Sequence, residues 1–145
     1  MGIIEQITSG PIGLDTCIFI YFIEETQDYL NLILPIFEAI DKGHCIGVTS
    51  GITLIETLVV PLRQSNKKLA DQYECLLTNS RGIKMIDLDK MLLREAAYLR
   101  ATYSIKTPDA LQLAAAKLSR CPVFVTNDRR LPTIEGISII YLSSL

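Results

Sequence analysis

The stretch Thr107-Pro108-Asp109-Ala110-Leu111-Gln112-Leu113-Ala114-Ala115-Ala116 constrains this chain more than any other. Ala110, Leu111, Ala114, Ala115 and, a turn later, Leu118 give a helix one smooth apolar face, which asks for close packing on another element. Thr107 reads as the N-cap and Pro108 as the first helical residue, where a missing N–H is harmless. Asp109 then stands in the first turn, beside the positive end of the helix dipole. A carboxylate is thereby held at the mouth of a buried helix. Asp109 could do no more than stabilise that helix, since acids are enriched in first turns. Three further acids at comparable places, Asp15, Glu56 and Asp128, argue for more.

Around this stretch, short apolar runs alternate with helical patterns. Ile12-Gly13-Leu14 reads as a buried strand ending at Asp15, followed by helices over Thr16–Phe22 and Gln27–Lys42, the second interrupted by Pro35 and ended by Gly43. Cys45–Thr49 is the second strand, and Ser50 caps a helix over Gly51–Val60 that carries Glu56 and closes or bends at Pro61. A polar helix over Asn66–Asn79 leads to a third strand, Ile83–Ile86, and Asp87 or Asp89 caps a helix to Thr102. Val123–Thr126 and Ile137–Tyr141 are the last strands; residues 1–10, with Ile3, Ile4 and Ile7, suggest a short extra strand or turn. Such alternation predicts an α/β protein with a parallel sheet covered on both faces, and 145 residues suit a single domain over 1–145.

The longest early apolar run, Cys17–Ile23, is too short to span a bilayer, and no basic segment precedes it, so a cytoplasmic protein without membrane contact is expected. Cys17, Cys45, Cys75 and Cys121 are widely spaced, which argues against zinc and for buried free thiols; His44 reads as a surface residue. Net charge is −2 but uneven. Residues 1–41 carry seven acids and no Lys or Arg, leaving all 14 basic residues and nine acids to residues 42–145, a balance of +5. That asymmetry permits nucleic-acid contact on one side, as does the basic stretch holding Arg63, Lys67, Lys68, Arg81 and Lys84. A solvated charged face would look the same.

In an open parallel sheet, sites form outside the carboxyl ends of the strands. Asp15 follows strand one, Asp128 lies two residues past Thr126 at the end of strand four, Glu56 sits in the helix after strand two, and Asp109 starts the helix before strand four. All four can reach one edge. Gathered carboxylates repel and lose hydration, so such a pocket asks for a cation. Oxygen ligands select hard ions, Mg²⁺ or Mn²⁺, which can polarise a phosphodiester and generate a hydroxide-like nucleophile. Each acid also has a plainer reading: Asp15 an N-cap, Glu56 a solvent-facing residue, Asp128 a turn residue. Their joint placement carries the weight.

Leu14-Asp15-Thr16, Thr53-Leu54-Ile55-Glu56, Pro108-Asp109-Ala110 and Val125-Thr126-Asn127-Asp128-Arg129-Arg130-Leu131 resemble, in order and spacing, the four motifs of PIN domains. The resemblance runs from about residue 12 to the end. It implies a three-layer α/β/α sandwich around a central parallel sheet of four to five strands, and ribonuclease activity. Asp15, Glu56, Asp109 and Asp128 match the metal-binding, catalytic acids, and Thr126 a polar position supporting the site. The small form is similar to VapC-type toxins, which implies an RNA substrate, a homodimer and a separate antitoxin chain as partner. Cys17 departs from the usual small residue at its position. Arg129, Arg130 and Lys106 are candidates for phosphate contact; each could be merely solvated, and Arg130 could pair with an acid of the site.

Other acid-based α/β folds fit less well. A haloacid-dehalogenase-like phosphatase wants an Asp where Cys17 stands, and a receiver domain wants paired acids after strand one. No glycine-rich phosphate loop is present. The alternatives are a non-catalytic binding module on the same fold, or a nuclease of the family outside a toxin–antitoxin pair.

Overall fold

The computed structural model describes Ile3 and residues 10–145. The chain runs β1 (Ile12–Leu14), α1 (Thr16–Ile23), α2 (Leu30–Asp41), β2 (Gly47–Ser50), α3 (Ile52–Arg63), α4 (Lys67–Asn79), β3 (Ile83–Ile86), α5 (Lys90–Tyr103), α6 (Thr107–Leu118), β4 (Val123–Thr126) and β5 (Ser138–Tyr141), closing on a 3₁₀ turn, Leu142–Ser144. The five strands form one parallel sheet in the order β3-β2-β1-β4-β5. Successive strands are added outward on one side of β1 as far as β3 and on the other side from β4, so β1, the shortest strand, lies at the centre.

Strand side chains alternate between two cores, as a pleat requires. Ile12, Leu14, Val123 and Val125 pack with Ile18, Phe19, Ile33, Ile36 and Phe37 of α1 and α2. Val48 and Phe124 pack with Leu92, Leu99, Leu113 and Ala114 of α5 and α6 on the opposite face. The result is the expected α/β/α sandwich with five strands.

Close approach of α6 to the sheet rests on small residues on both sides. A Cβ on Gly13 would lie 2.7 Å from Cδ1 of Phe124 and 3.0 Å from the Ala116 methyl, so only glycine fits between strand and helix. Gly13→Ala should lower stability by about 1–3 kcal/mol through overpacking, read as a fall in the urea midpoint at unchanged slope. An unchanged midpoint would show that α6 has room to withdraw.

Several boundaries differ from the sequence reading. The α6 helix takes in Thr107, leaving Lys106 in the cap position without a side-chain cap. The Thr107 hydroxyl is occupied elsewhere: it accepts from the Arg100 guanidinium at 2.9 Å, while Arg100 Nε donates to the Ile105 carbonyl at 3.0 Å. Pro108 is then the second helical residue, still within the turn whose N–H groups have no helical partner. The buried run ends at Ala116, and Leu118 is exposed. The α2 helix starts at Leu30 rather than Gln27, after a turn in which Glu25 takes φ 50°. In α3, Pro61 does not end the helix, which continues to Arg63.

The inward face of α3 is Thr53, Thr57 and Pro61, leaving Ile55 and Val59 exposed. Those two residues therefore do not shelter Glu56, which is itself exposed. Strand β2 begins at Gly47 rather than Cys45 and runs on to Ser50, whose hydroxyl accepts from the Ile52 N–H at 3.2 Å at the head of α3. Asp89, not Asp87, caps α5, its carboxylate accepting from the Leu92 N–H at 2.9 Å.

Of the four thiols, Cys121 is buried, Cys17 and Cys45 are partly covered, and Cys75 is exposed on the outer face of α4, against the expectation of four buried cysteines. His44 is exposed, as expected. The strand or turn suggested for residues 1–10 lies outside the described residues, apart from Gly10 and from Ile3, which is buried against the α1/α2 core. No helix among the described residues is long and apolar enough to cross a membrane.

Candidate active site

Parallel strands send their carboxyl ends to the same edge, and there a cleft of about 630 Å³ opens. Asp15, Glu56, Asp109 and Asp128 all line it, together with Lys106, Arg130, Asn127, Tyr21 and Cys17. Four acids separated by up to 113 positions thus meet in one place, because β1 and β4 are neighbours and α3 and α6 both start at this edge.

Asp15 is the most firmly held. Its backbone N–H extends the sheet ladder by donating to the Val125 carbonyl at 3.0 Å. Its Oδ1 accepts from the Thr16 N–H at 2.8 Å, capping α1, and its Oδ2 accepts from the Thr126 hydroxyl at 2.6 Å. Burial nevertheless pushes its pKa from 3.8 up to about 6, with the charges of Asp109 and Glu56 adding to the shift and the two hydrogen bonds opposing it. Thr126, fully buried, also accepts from the Asp128 N–H at 3.0 Å. One hydroxyl thereby ties the loop after β4 to the acid after β1.

Burial also raises the Asp109 pKa, and the Asp128 charge adds to it, while Arg130 and Lys106 pull the other way. Asp128 shifts downward, because Arg130 grips it: Nε donates to Oδ1 at 2.9 Å and Nη2 to Oδ2 at 3.0 Å. In that fork–fork pair Arg130 meets an acid of the site, one of the readings open to it. Glu56 lies on the exposed side of α3, with Oε1 accepting from the Thr16 hydroxyl at 2.6 Å.

Arg129 does not join the cleft lining. Its Nε donates to the Ser143 hydroxyl at 2.8 Å and its guanidinium lies 5.6 Å from the Tyr141 ring centre, turned toward the C-terminal 3₁₀ turn. The five basic residues between Arg63 and Lys84 are likewise absent from the lining, and Lys67 is paired with Asp71 at 2.6 Å. Burial, with the Asp15 charge beside it, pushes the Cys17 thiol up to about 12, which favours its protonated form. Among the described residues, no three His, Cys, Asp or Glu side chains converge tightly enough to hold a metal ion as they stand.

The sequence reading gave no role at the site to four buried polar residues behind the acids, Thr16, Thr49, Thr53 and Gln112. Gln112 had a signal: it is the one polar side chain in the otherwise apolar run from Ala110 to Ala116, one turn after Asp109.

A parallel sheet that gathers acids at its carboxyl edge, in the order β3-β2-β1-β4-β5, defines an α/β domain with an acidic cleft. The chain belongs to the PIN domain family, whose profile matches residues 12–137. No curated protein sequence matches it. Among solved structures it is similar to a chain of VapBC2 from Rickettsia felis bound to a promoter DNA fragment, at 19% identity and a TM-score of 0.68, covering 91% of this chain and 98% of that one. It is similar to a chain of the DNA-bound VapBC from Salmonella typhimurium, at 19% identity and 0.62, covering 91% and 98%. The VapC20 toxin from Mycobacterium tuberculosis, described as cleaving the sarcin-ricin loop, matches at 14% identity and 0.62, covering 78% and 86%.

Proposed function

We propose that this protein is a Mg²⁺- or Mn²⁺-dependent endoribonuclease and the toxin of a toxin–antitoxin pair. The observation that carries the reading is the meeting of Asp15, Glu56, Asp109 and Asp128 in one cleft with Lys106 and Arg130 beside them. The toxin assignment draws on likeness, over most of both chains, to solved toxin–antitoxin complexes and to an RNA-cleaving toxin. An antitoxin chain and a second copy of this protein are the partners that likeness suggests.

The donor set suits a hard ion. Every ligand offered is a carboxylate oxygen, and Asp15 and Asp109 carry charge that burial disfavours. Mg²⁺ keeps several waters and needs only one or two direct carboxylates, so a tight cage of three is not required. Asp15, Glu56 and Asp109 would hold it directly or through water, and Asp128 would join on releasing Arg130. Bound there, the ion would supply a hydroxide-like water and polarise the phosphodiester. The chain's own contribution is positional. Thr16 and Thr126 keep Asp15 oriented, while Arg130 and Lys106 offer cationic donors to phosphate oxygens.

The direct test is incubation of the protein with end-labelled RNA and single-stranded DNA of equal sequence, in Mg²⁺, in Mn²⁺ and in chelator. Cleavage of RNA alone, and only with metal, is expected. Inert protein on every substrate would favour a binding module. Arg130→Ala separates the two roles of that side chain. An exposed pair is weak, so freeing Asp128 should tighten Mn²⁺ by no more than about fivefold, while RNA affinity and its salt dependence fall. Unaltered RNA affinity would remove Arg130 from the phosphate contact.

A further inference from the structure

We propose that Gln112 is a positioning residue which, through the Thr16 hydroxyl, orients the Glu56 carboxylate in the cleft. The inference rests on the acidic cleft being the reacting site, as proposed above.

Gln112 is 2% exposed, and its amide has four partners. Oε1 accepts from the Ser50 N–H at 3.0 Å and from the Thr49 hydroxyl at 3.2 Å. Nε2 donates to the hydroxyls of Thr53 at 2.6 Å and Thr16 at 2.9 Å. A backbone N–H can only donate, so Ser50 fixes which end of the amide is oxygen. The rest of the network follows by assigning each proton once. The Thr49 proton goes to Gln112, so Thr49 accepts from Thr53 across their 2.6 Å contact. With the Thr53 proton committed, and with Thr16 already accepting from Gln112, the single Thr16 proton goes to Glu56 Oε1 at 2.6 Å. Thr16 and Thr53 sit 3.1 Å apart because both accept from the same amide nitrogen.

The chain of bonds therefore has one direction, from a backbone N–H at the end of β2 to a carboxylate in the cleft. It joins β2, α3, α1 and α6 where the acids arise. A glutamate side chain on the exposed side of a helix has many rotamers; a hydroxyl bond from a fully ordered buried network holds it to a few. Thr16 also gives its N–H to Asp15, so one residue orients both acids.

The test measures the Mn²⁺ dissociation constant of the full chain by calorimetry, with circular dichroism as the check on folding. Thr16→Val keeps shape and loses the proton; it should weaken Mn²⁺ binding by about 10- to 100-fold, the scale for residues that orient a metal ligand. Gln112→Met keeps the volume and loses every bond, and should do the same. Thr16→Ser restores the hydroxyl and should restore the affinity. In metal-free protein, the Gln112 side-chain amide protons should exchange slowly. Thr16→Val binding like wild type, Thr16→Ser as weak as Thr16→Val, or fast amide exchange would each overturn the inference while wild type still binds the ion. A wild type that binds no Mn²⁺ overturns the cleft reading, and this inference with it.

Discussion

Asp109→Asn should abolish RNA cleavage and leave the fold in place. The rate is expected to fall by at least about 10²-fold, the scale on which losing one preorganised charged group slows a reaction. The structure supports a clean result. Asp109 lines the cleft from the first turn of α6, where its contribution to the helix is through the dipole, worth less than about 1 kcal/mol at such positions. Burial and the neighbouring Asp128 already disfavour its charge, so a neutral side chain of the same shape relieves repulsion. Metal-dependent cleavage at the wild-type rate by a folded Asp109→Asn protein would remove Asp109 from the machinery. Loss of cleavage with retained RNA affinity would place the effect at the chemical step rather than at binding.

Asp15→Asn has a second signature, in stability. An acid whose folded pKa is raised is bound to its proton more tightly in the native state than in the unfolded chain. Between 3.8 and about 6, the native state holds a proton that the unfolded state has lost, so stability falls as pH rises through that window. Above it, the penalty is constant, on the order of 2–3 kcal/mol. Measured by urea unfolding in chelator, wild type should therefore lose stability relative to Asp15→Asn from pH 4 to about pH 6, and then run parallel to it. Asp109 shifts in the same direction but is present in both proteins. Asp128, lowered by Arg130, titrates below this window. At neutral pH, saturating Mn²⁺ should raise the melting temperature of wild type more than that of the variant, which lacks the most deeply buried of the charges that the ion relieves. A stability difference flat with pH would mean that Asp15 sits in the cleft without strain.

Much of this architecture was legible in the chain. Apolar runs of strand length between helical patterns predicted the parallel sandwich, and parallel strands send their carboxyl ends, and the acids just beyond them, to one edge. Asp15, Glu56, Asp109, Asp128 and the supporting Thr126 all lie in or beside the cleft where that rule puts them. Arg130 paired with an acid, as one of its readings allowed. The turn of Arg129 toward Ser143 was not visible, since adjacent arginines in a loop carry no signal of which way each faces.

Other features arose only with the tertiary structure. The α3 helix turns threonines inward and leaves Ile55 and Val59 exposed, because three buried threonine and glutamine partners from β2, α1 and α6 satisfy Thr53 there. The Thr107 cap failed for a related reason, its oxygen being claimed by Arg100 on the preceding helix. Periodicity and spacing report what a residue is and what lies within a few positions of it. Gln112 bonds to Thr16, 96 positions away, because β1 and β2 are neighbours and α6 crosses both. The chain by itself determined the alternation of strands and helices and which end of the sheet would be acidic. Only the folded order of the strands decided which polar groups would meet, since a hydrogen bond depends on ångström-scale placement that no local pattern encodes.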